Sequence, residues 1–174
     1  MPERQTLLIV CEGTRTEPNY FRGFRLTSAS IEAVGFGMNT VSLVNRCIAE
    51  VEKQRSKGNV FDQVWCVFDR DSFPAADFNQ AIVLAQANNI QVAWSNEAFE
   101  LWYVLHFQLL EAACTRKQYI EQLNQALGAK YQKNDVGILA SYGHCRLLRC
   151  NMPSSLKKCG LRVGRQRCSA HAPQ

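Results

Sequence analysis

Short, unbroken apolar runs alternate along this chain with longer segments in which apolar residues recur every three or four positions. Thr6 to Cys11 (TLLIVC) is the first run, and its continuity fits a strand covered on both faces. Thr16-Glu17-Pro18 then reads as a helix start, with a capping hydroxyl and a proline in the first turn. Tyr20, Phe21 and Phe24 give that helix an apolar side, and Ile31 to Phe36 is a further strand candidate. From Asn39 a long helix is predicted, because Val41, Val44, Ile48 and Val51 repeat at spacings of three, four and three. It ends at Lys57-Gly58, a basic last turn followed by glycine. Asp62 to Phe68 (DQVWCVF) carries the strongest strand signal and leads into Asp69-Arg70-Asp71. Phe73 to Asn89 reads as a helix with Phe78, Ile82 and Ala85 on one side, and Ile90 to Trp94 as a strand ending in Ser95-Asn96. Glu97 to Phe107 and Arg116 to Leu127 complete the pattern as helices.

Strands that alternate with helices at this spacing imply βαβ crossovers. The expected fold class is therefore α/β, a mainly parallel sheet with helices on both faces. A length of 174 residues fits one domain with a sizeable core. Apolar residues make up 47% of the chain and charged residues 20%, which excludes disorder as a description of the whole. No apolar run approaches the roughly 20 residues of a membrane helix, and the apolar stretch near the amino terminus is too short for a signal peptide. A cytoplasmic protein without a membrane partner is expected. Eight cysteines raise the question of a disulfide scaffold. Cys11, Cys47 and Cys66 fall inside apolar periodic segments, however, where free cysteine behaves as a small buried hydrophobe, so reduced thiols are expected.

Charge is distributed unevenly. Residues 1–135 carry thirteen Lys/Arg against all fifteen acids, whereas residues 136–174 carry seven Lys/Arg and no acid. The chain thus divides into a domain over 1–135 and a basic, cysteine-containing tail over 136–174.

The acids of the first part concentrate where strands end, at Cys11-Glu12-Gly13, Asp69-Arg70-Asp71 and Ser95-Asn96-Glu97. In an open parallel α/β sheet, ligands bind at the carboxyl ends of the strands. If these strands are neighbours, Glu12, Asp69 and Asp71 converge, and clustered carboxylates repel unless protonated or bridged by a cation. A donor set of hard oxygens favours Mg2+ or Mn2+ over zinc. Asp69 and Asp71 also fit the plain start of a loop before a helix. Glu12 fits no such local role, because glutamate is a poor strand residue and this one immediately precedes glycine.

A strand ending in Glu-Gly followed by a later strand ending in Asp-x-Asp resembles the Toprim fold of topoisomerases, primases and related nucleases. More closely, LIVCEGTRTEPNYF, VWCVFDRD and WSNEAFELWYVLHF, in that order, resemble the RloB-like family found in restriction-linked and abortive-infection loci. The resemblance spans Thr6 to Asp135. It implies that Glu12 is a metal ligand or general acid/base and that Asp69 and Asp71 hold Mg2+. Glu17 stands near the second glutamate of related nucleases, one residue later than their Glu-Gly-x-x-Glu spacing. The activity implied is Mg2+-dependent cleavage of phosphodiester bonds in DNA or RNA, in anti-phage defence, with a possible partner protein from the same locus. A metal-binding module that recognises nucleic acid or a protein partner without cutting, and a phosphoryl-transfer enzyme on nucleotides, use the same acids.

Other residues join the list on local grounds. Glu100, three residues after Glu97, is an acid among Phe99, Leu101 and Trp102 and, like Glu17, a candidate to complete the metal ligand set; the resemblance places its Phe-Glu pair in a family motif. Glu97 and Glu100 would share a helix side, and Ser95 and Asn96 are placed to cap that helix. The surrounding aromatics fit a buried helix, and His106 fits a satisfied, partly buried histidine. Lys130 and Lys133 are candidates to neutralise phosphate or transition-state charge, Lys133 as a catalytic residue and Lys130 in substrate binding. A solvated basic loop also accounts for them, Lys130 above all, whereas Lys133 with Asn134 resembles a recurrent family position. Arg70 and Asn96, at the same strand ends, complete the expected substrate-binding set. In the tail, Cys145, Cys150, Cys159 and Cys168 lack the paired C-x2-C spacing of zinc modules. A basic nucleic-acid-binding arm, an unusual metal knuckle and a carboxyl terminus produced by a reading-frame shift each account for its composition.

Overall fold

The structure is a computed structural model that describes residues 5–24, 29–38, 40–71, 74–110 and 112–134. Its elements run β1 (Gln5–Cys11), α1 (Thr16–Arg22), β2 (Ala29–Gly35), α2 (Thr40–Ser56), β3 (Gln63–Arg70), α3 (Ala75–Ala87), β4 (Gln91–Asn96), α4 (Glu100–Val104) and α5 (Arg116–Leu127). The strands form one sheet in the order β2-β1-β3-β4, and every neighbouring pair is parallel. The α/β class and the parallel sheet are as the alternating pattern requires, and the arrangement is consistent with a Toprim-like fold.

The pleat explains the continuous apolar runs. Leu7, Ile9 and Cys11 of β1, with Trp65 and Val67 of β3, pack against Tyr20 and Phe21 of α1, Trp102 and Tyr103 of α4 and Leu123 of α5. The alternate residues Leu8, Val10, Cys66 and Phe68 pack against Leu43 and Val44 of α2 and Phe78, Ala81 and Ala85 of α3. Both faces of β1 and β3 are therefore covered by helices. Leu8 and Val10 are fully buried, and burial of each such side chain contributes about 1.5–3 kcal/mol. Cys11, Cys47 and Cys66 are buried free thiols, as their apolar surroundings predict.

Several boundaries differ from the sequence expectation. β3 continues through Asp69 and Arg70, because the ladder with β4 extends to Asp69↔Ser95 and Arg70↔Asn96. Ser95 and Asn96 are strand residues and do not cap a helix; the residue before α4 is Phe99, which makes no side-chain capping bond. α4 is far shorter than Glu97 to Phe107, since Glu97 adopts φ 63°, a left-handed conformation that a helix interior excludes. Glu97 and Glu100 consequently do not share a helix side. Nor does a hydroxyl cap α1. Thr16 is its first helical residue, and its Oγ1 donates to Asn134 Oδ1 at 2.6 Å. α5, by contrast, starts with a reciprocal capping box between Thr115 and Gln118 and stops at Gly128, at φ 64°.

Position 73, the predicted start of α3, and the whole tail from 136 lie outside the described residues, as do the tail cysteines. Among the described residues, no helix is long and apolar enough to cross a membrane.

Candidate functional site

β1 and β3 are neighbours, but the helices that follow them pack on opposite faces of the sheet, α1 with the Tyr20 cluster and α3 with the Phe78 cluster. Adjacent parallel strands whose exits diverge in this way leave a crevice at their carboxyl ends. The acids singled out from the sequence lie there.

Glu12 directly follows β1 and is still held to β3, its N–H donating to the Val67 carbonyl at 2.9 Å. Its Oε2 accepts the Asp69 N–H at 3.0 Å, which ties the ends of the two strands together through a side chain. Burial raises the pKa of this carboxyl; the Asp69 N–H opposes the rise, and the charges of Asp71 and Glu17 add to it.

Gly13 makes room for the second glutamate. A Cβ at this position would overlap the Glu17 carboxylate, and the Gly13 N–H donates to Glu17 Oε1 at 3.2 Å. Gly35, at the end of β2, is equally constrained, since a Cβ there would run into the Gly13 carbonyl. The loop after β1 thus lies flat on the sheet end and turns Glu17 back over itself. Glu17 is only 7% exposed, and its Oε2 is buried without a hydrogen-bond partner. Burial raises its pKa; the N–H groups of its own residue and of Gly13 and the charge of Lys133 lower it, and Glu100 raises it further.

Asp69 shares the strand parity of Trp65 and Val67, so its side chain belongs to the face covered by α1, α4 and α5. Its pKa is pushed up to about 7, by burial first and then by Glu17 and Glu12, against a hydrogen bond from Ser95 and with a further rise from Glu100. Glu100, the first residue of α4, is buried and accepts the Tyr131 hydroxyl at 3.3 Å. Asp71 is half-buried just beyond β3 and acts on Glu12 through its charge.

The basic and amide residues separate. Lys133 is exposed, and its charge reaches Glu17; Lys130 is exposed as well. Arg70 has the opposite strand parity to Asp69. Its guanidinium lies over the Phe78 ring, 5.3 Å from the centroid, and donates to the Asp71 carbonyl at 2.7 Å. Asn96 donates to the Cys114 carbonyl at 3.4 Å, a contact that anchors the segment leading to α5. His106 is buried and bonded to the Tyr20 hydroxyl at 3.0 Å within an aromatic cluster.

Two residues of this site carried no functional reading in the sequence. Ser95 reads there as a strand-end residue and a helix cap, and its place opposite Asp69 depends on the β3–β4 register. Tyr131 falls between Lys130 and Lys133 in a stretch without periodicity, and only its contact with Glu100 shows its place.

The donor set of Glu12, Glu17, Asp69 and Asp71 is all carboxylate, which suits Mg2+ or Mn2+. The buried, unpartnered Glu17 Oε2 marks a position where positive charge would be stabilised. Among the described residues, no three His, Cys, Asp or Glu side chains already stand close enough together to hold a metal ion. Ligation by this set would therefore require side-chain rearrangement.

A family model described as RloB-like protein matches residues 7–148. The match includes every site residue described above and reaches beyond Asp135. No curated protein matches the chain.

Proposed function

The chain belongs to the RloB-like protein family, and we propose that it is a Toprim-type, Mg2+-dependent nuclease that cleaves phosphodiester bonds of DNA or RNA. One observation carries the reading. Glu12 directly follows β1, Glu17 stands in the first turn of α1 and Asp69 closes β3, and each carries a pKa raised by burial and by neighbouring carboxylates. A fold gains no stability from forcing buried acids together, whereas a site for a divalent cation requires it. Glu12, Glu17, Asp69 and Asp71 would hold Mg2+ (or Mn2+), which would polarise the scissile phosphoryl oxygen and stabilise the leaving oxygen.

The remaining roles belong to this chain's own side chains. Glu12 Oε2 is occupied by the Asp69 N–H, so a proton from attacking water would be taken at Oε1. Lys133, exposed and within electrostatic reach of Glu17, would pair with a substrate phosphate and with charge developing in the transition state. Glu100 and Tyr131 hold the buried side of the site. A role in anti-phage defence, alongside a partner protein from the same locus, follows the family resemblance and is part of the same proposal.

The test is incubation of the purified protein with DNA, RNA and tRNA in Mg2+ or Mn2+, beside Glu12→Gln and Asp69→Asn. Cleavage that is abolished in both variants supports the assignment, and cleavage that persists in both overturns it. Binding of metal and nucleic acid without turnover would instead identify a non-catalytic recognition module.

A further inference from the structure

The WSNEAFELW segment sets a buried hydroxyl, held by an indole, beside Asp69 at the end of β3. Trp102 Nε1 donates to Ser95 Oγ at 2.8 Å, and both side chains are buried, Ser95 completely. An indole N–H can only donate, while a hydroxyl has one hydrogen and two lone pairs. Once Trp102 occupies a lone pair of Ser95, the serine hydrogen is left for an acceptor, and Asp69 is the acid that the β3–β4 register sets beside it. Ser95 reaches Asp69 because the two are register partners across β3 and β4. The indole is itself held in place: it stacks on Phe99 (5.6 Å, 12°) and meets Tyr20 and Phe21 edge-on at 6.0 and 5.8 Å. Ser95 is fully buried, so bulk water does not compete for its hydrogen.

From this geometry we infer that Ser95 is a positioning residue, which Trp102 orients so that its hydroxyl fixes the Asp69 carboxylate for a divalent cation. The inference rests on the reading of Asp69 as a metal ligand. Glu12 fixes the same residue from the other side through its N–H. Asp69 is thus restrained at backbone and carboxylate by two partners on two different strand ends. Outer partners of this kind typically change metal affinity about 10–100-fold.

The test compares Ser95→Ala, Ser95→Thr and Trp102→Phe by two readouts. The first is the 13C resonance of the Asp69 carboxyl carbon at fixed pH in EDTA, which reports the hydrogen bond without any metal. Ser95→Ala should displace it, Trp102→Phe should displace it less, and Ser95→Thr should restore it. The second is calorimetric titration with MgCl2, where Ser95→Ala should bind about tenfold more weakly and Ser95→Thr near the parent. An unmoved Asp69 resonance in folded Ser95→Ala overturns the inference, as does unchanged Mg2+ affinity. Should Ser95→Ala fail to fold, Trp102→Phe decides by the same readouts, because it removes the donor that orients the Ser95 hydroxyl, and an unmoved Asp69 resonance in that variant overturns the inference. If the parent binds no Mg2+, the metal role of Ser95 falls together with the nuclease reading, while the resonance still decides whether Ser95 restrains Asp69.

Discussion

Replacing Asp69 by asparagine should stabilise the metal-free protein in alkaline solution. The carboxyl pKa is pushed from 3.8 to about 7 by burial and by Glu17 and Glu12. Folding therefore makes this group harder to ionise. Its contribution is most favourable at low pH, where both folded and unfolded chains are protonated, and it worsens as pH rises from 3.8 to about 7. Above that it levels off at a cost of ~4 kcal/mol, from about 1.4 kcal/mol per pKa unit. The asparagine amide is neutral at every pH, nearly the same shape as the carboxyl, and able to accept the Ser95 hydroxyl. Urea denaturation in EDTA should show Asp69→Asn more stable than the parent by up to ~4 kcal/mol at pH 8.5, by ~1.5 kcal/mol at pH 5, and by almost nothing near pH 3. Saturating Mg2+ should narrow the alkaline gap by stabilising the parent alone. A variant no more stable than the parent at pH 8.5, or a gain that does not shrink on acidification, would refute the premise that Asp69 is held under electrostatic stress.

Other outcomes follow from neighbouring groups. Gly13→Ala should place a methyl group in the Glu17 carboxylate and cost about 1–3 kcal/mol in urea unfolding, with weaker Mg2+ binding in calorimetry as Glu17 is displaced. Tyr131→Phe should remove a donor from buried Glu100 and cost about 1–3 kcal/mol by the same assay. His106, its pKa pushed down to about 4 by burial, takes up a proton on unfolding below its ordinary 6.5. Its stabilising contribution is present above that value and is lost as pH falls toward 4. A His106→Gln variant should accordingly lose ~2.5 kcal/mol less than the parent between pH 6.5 and 4, measured as the difference between the two urea midpoints.

Much of the fold is legible in the residues themselves. TLLIVC and DQVWCVF can bury both faces only inside a parallel sheet, and the three-four-three spacing of Val41, Val44, Ile48 and Val51 turns one stripe of α2 to that sheet. Glu12 stands out on local grounds, being an acid where a buried strand has no place for one, whereas Asp69 also reads as the plain start of a loop and gains weight only beside Glu12. Local pattern also misleads where a single backbone angle intervenes. Glu97 looks like the first turn of a helix, and its left-handed φ delays that helix to Glu100.

Relations between distant residues are a different matter. The Glu12–Asp69 hydrogen bond joins positions 57 apart, and the Ser95–Asp69 pairing depends on the register of β4 against β3. Arg70 and Asp69 are adjacent in the chain, yet the pleat gives them opposite faces, Arg70 over Phe78 and Asp69 toward the carboxylates. Periodicity records how each element meets the core, because burial acts on one residue at a time. Strand order and register are chosen by the packing of all the elements at once. The sequence by itself therefore determined which acids are out of place, and only the tertiary structure decided which of them share a site.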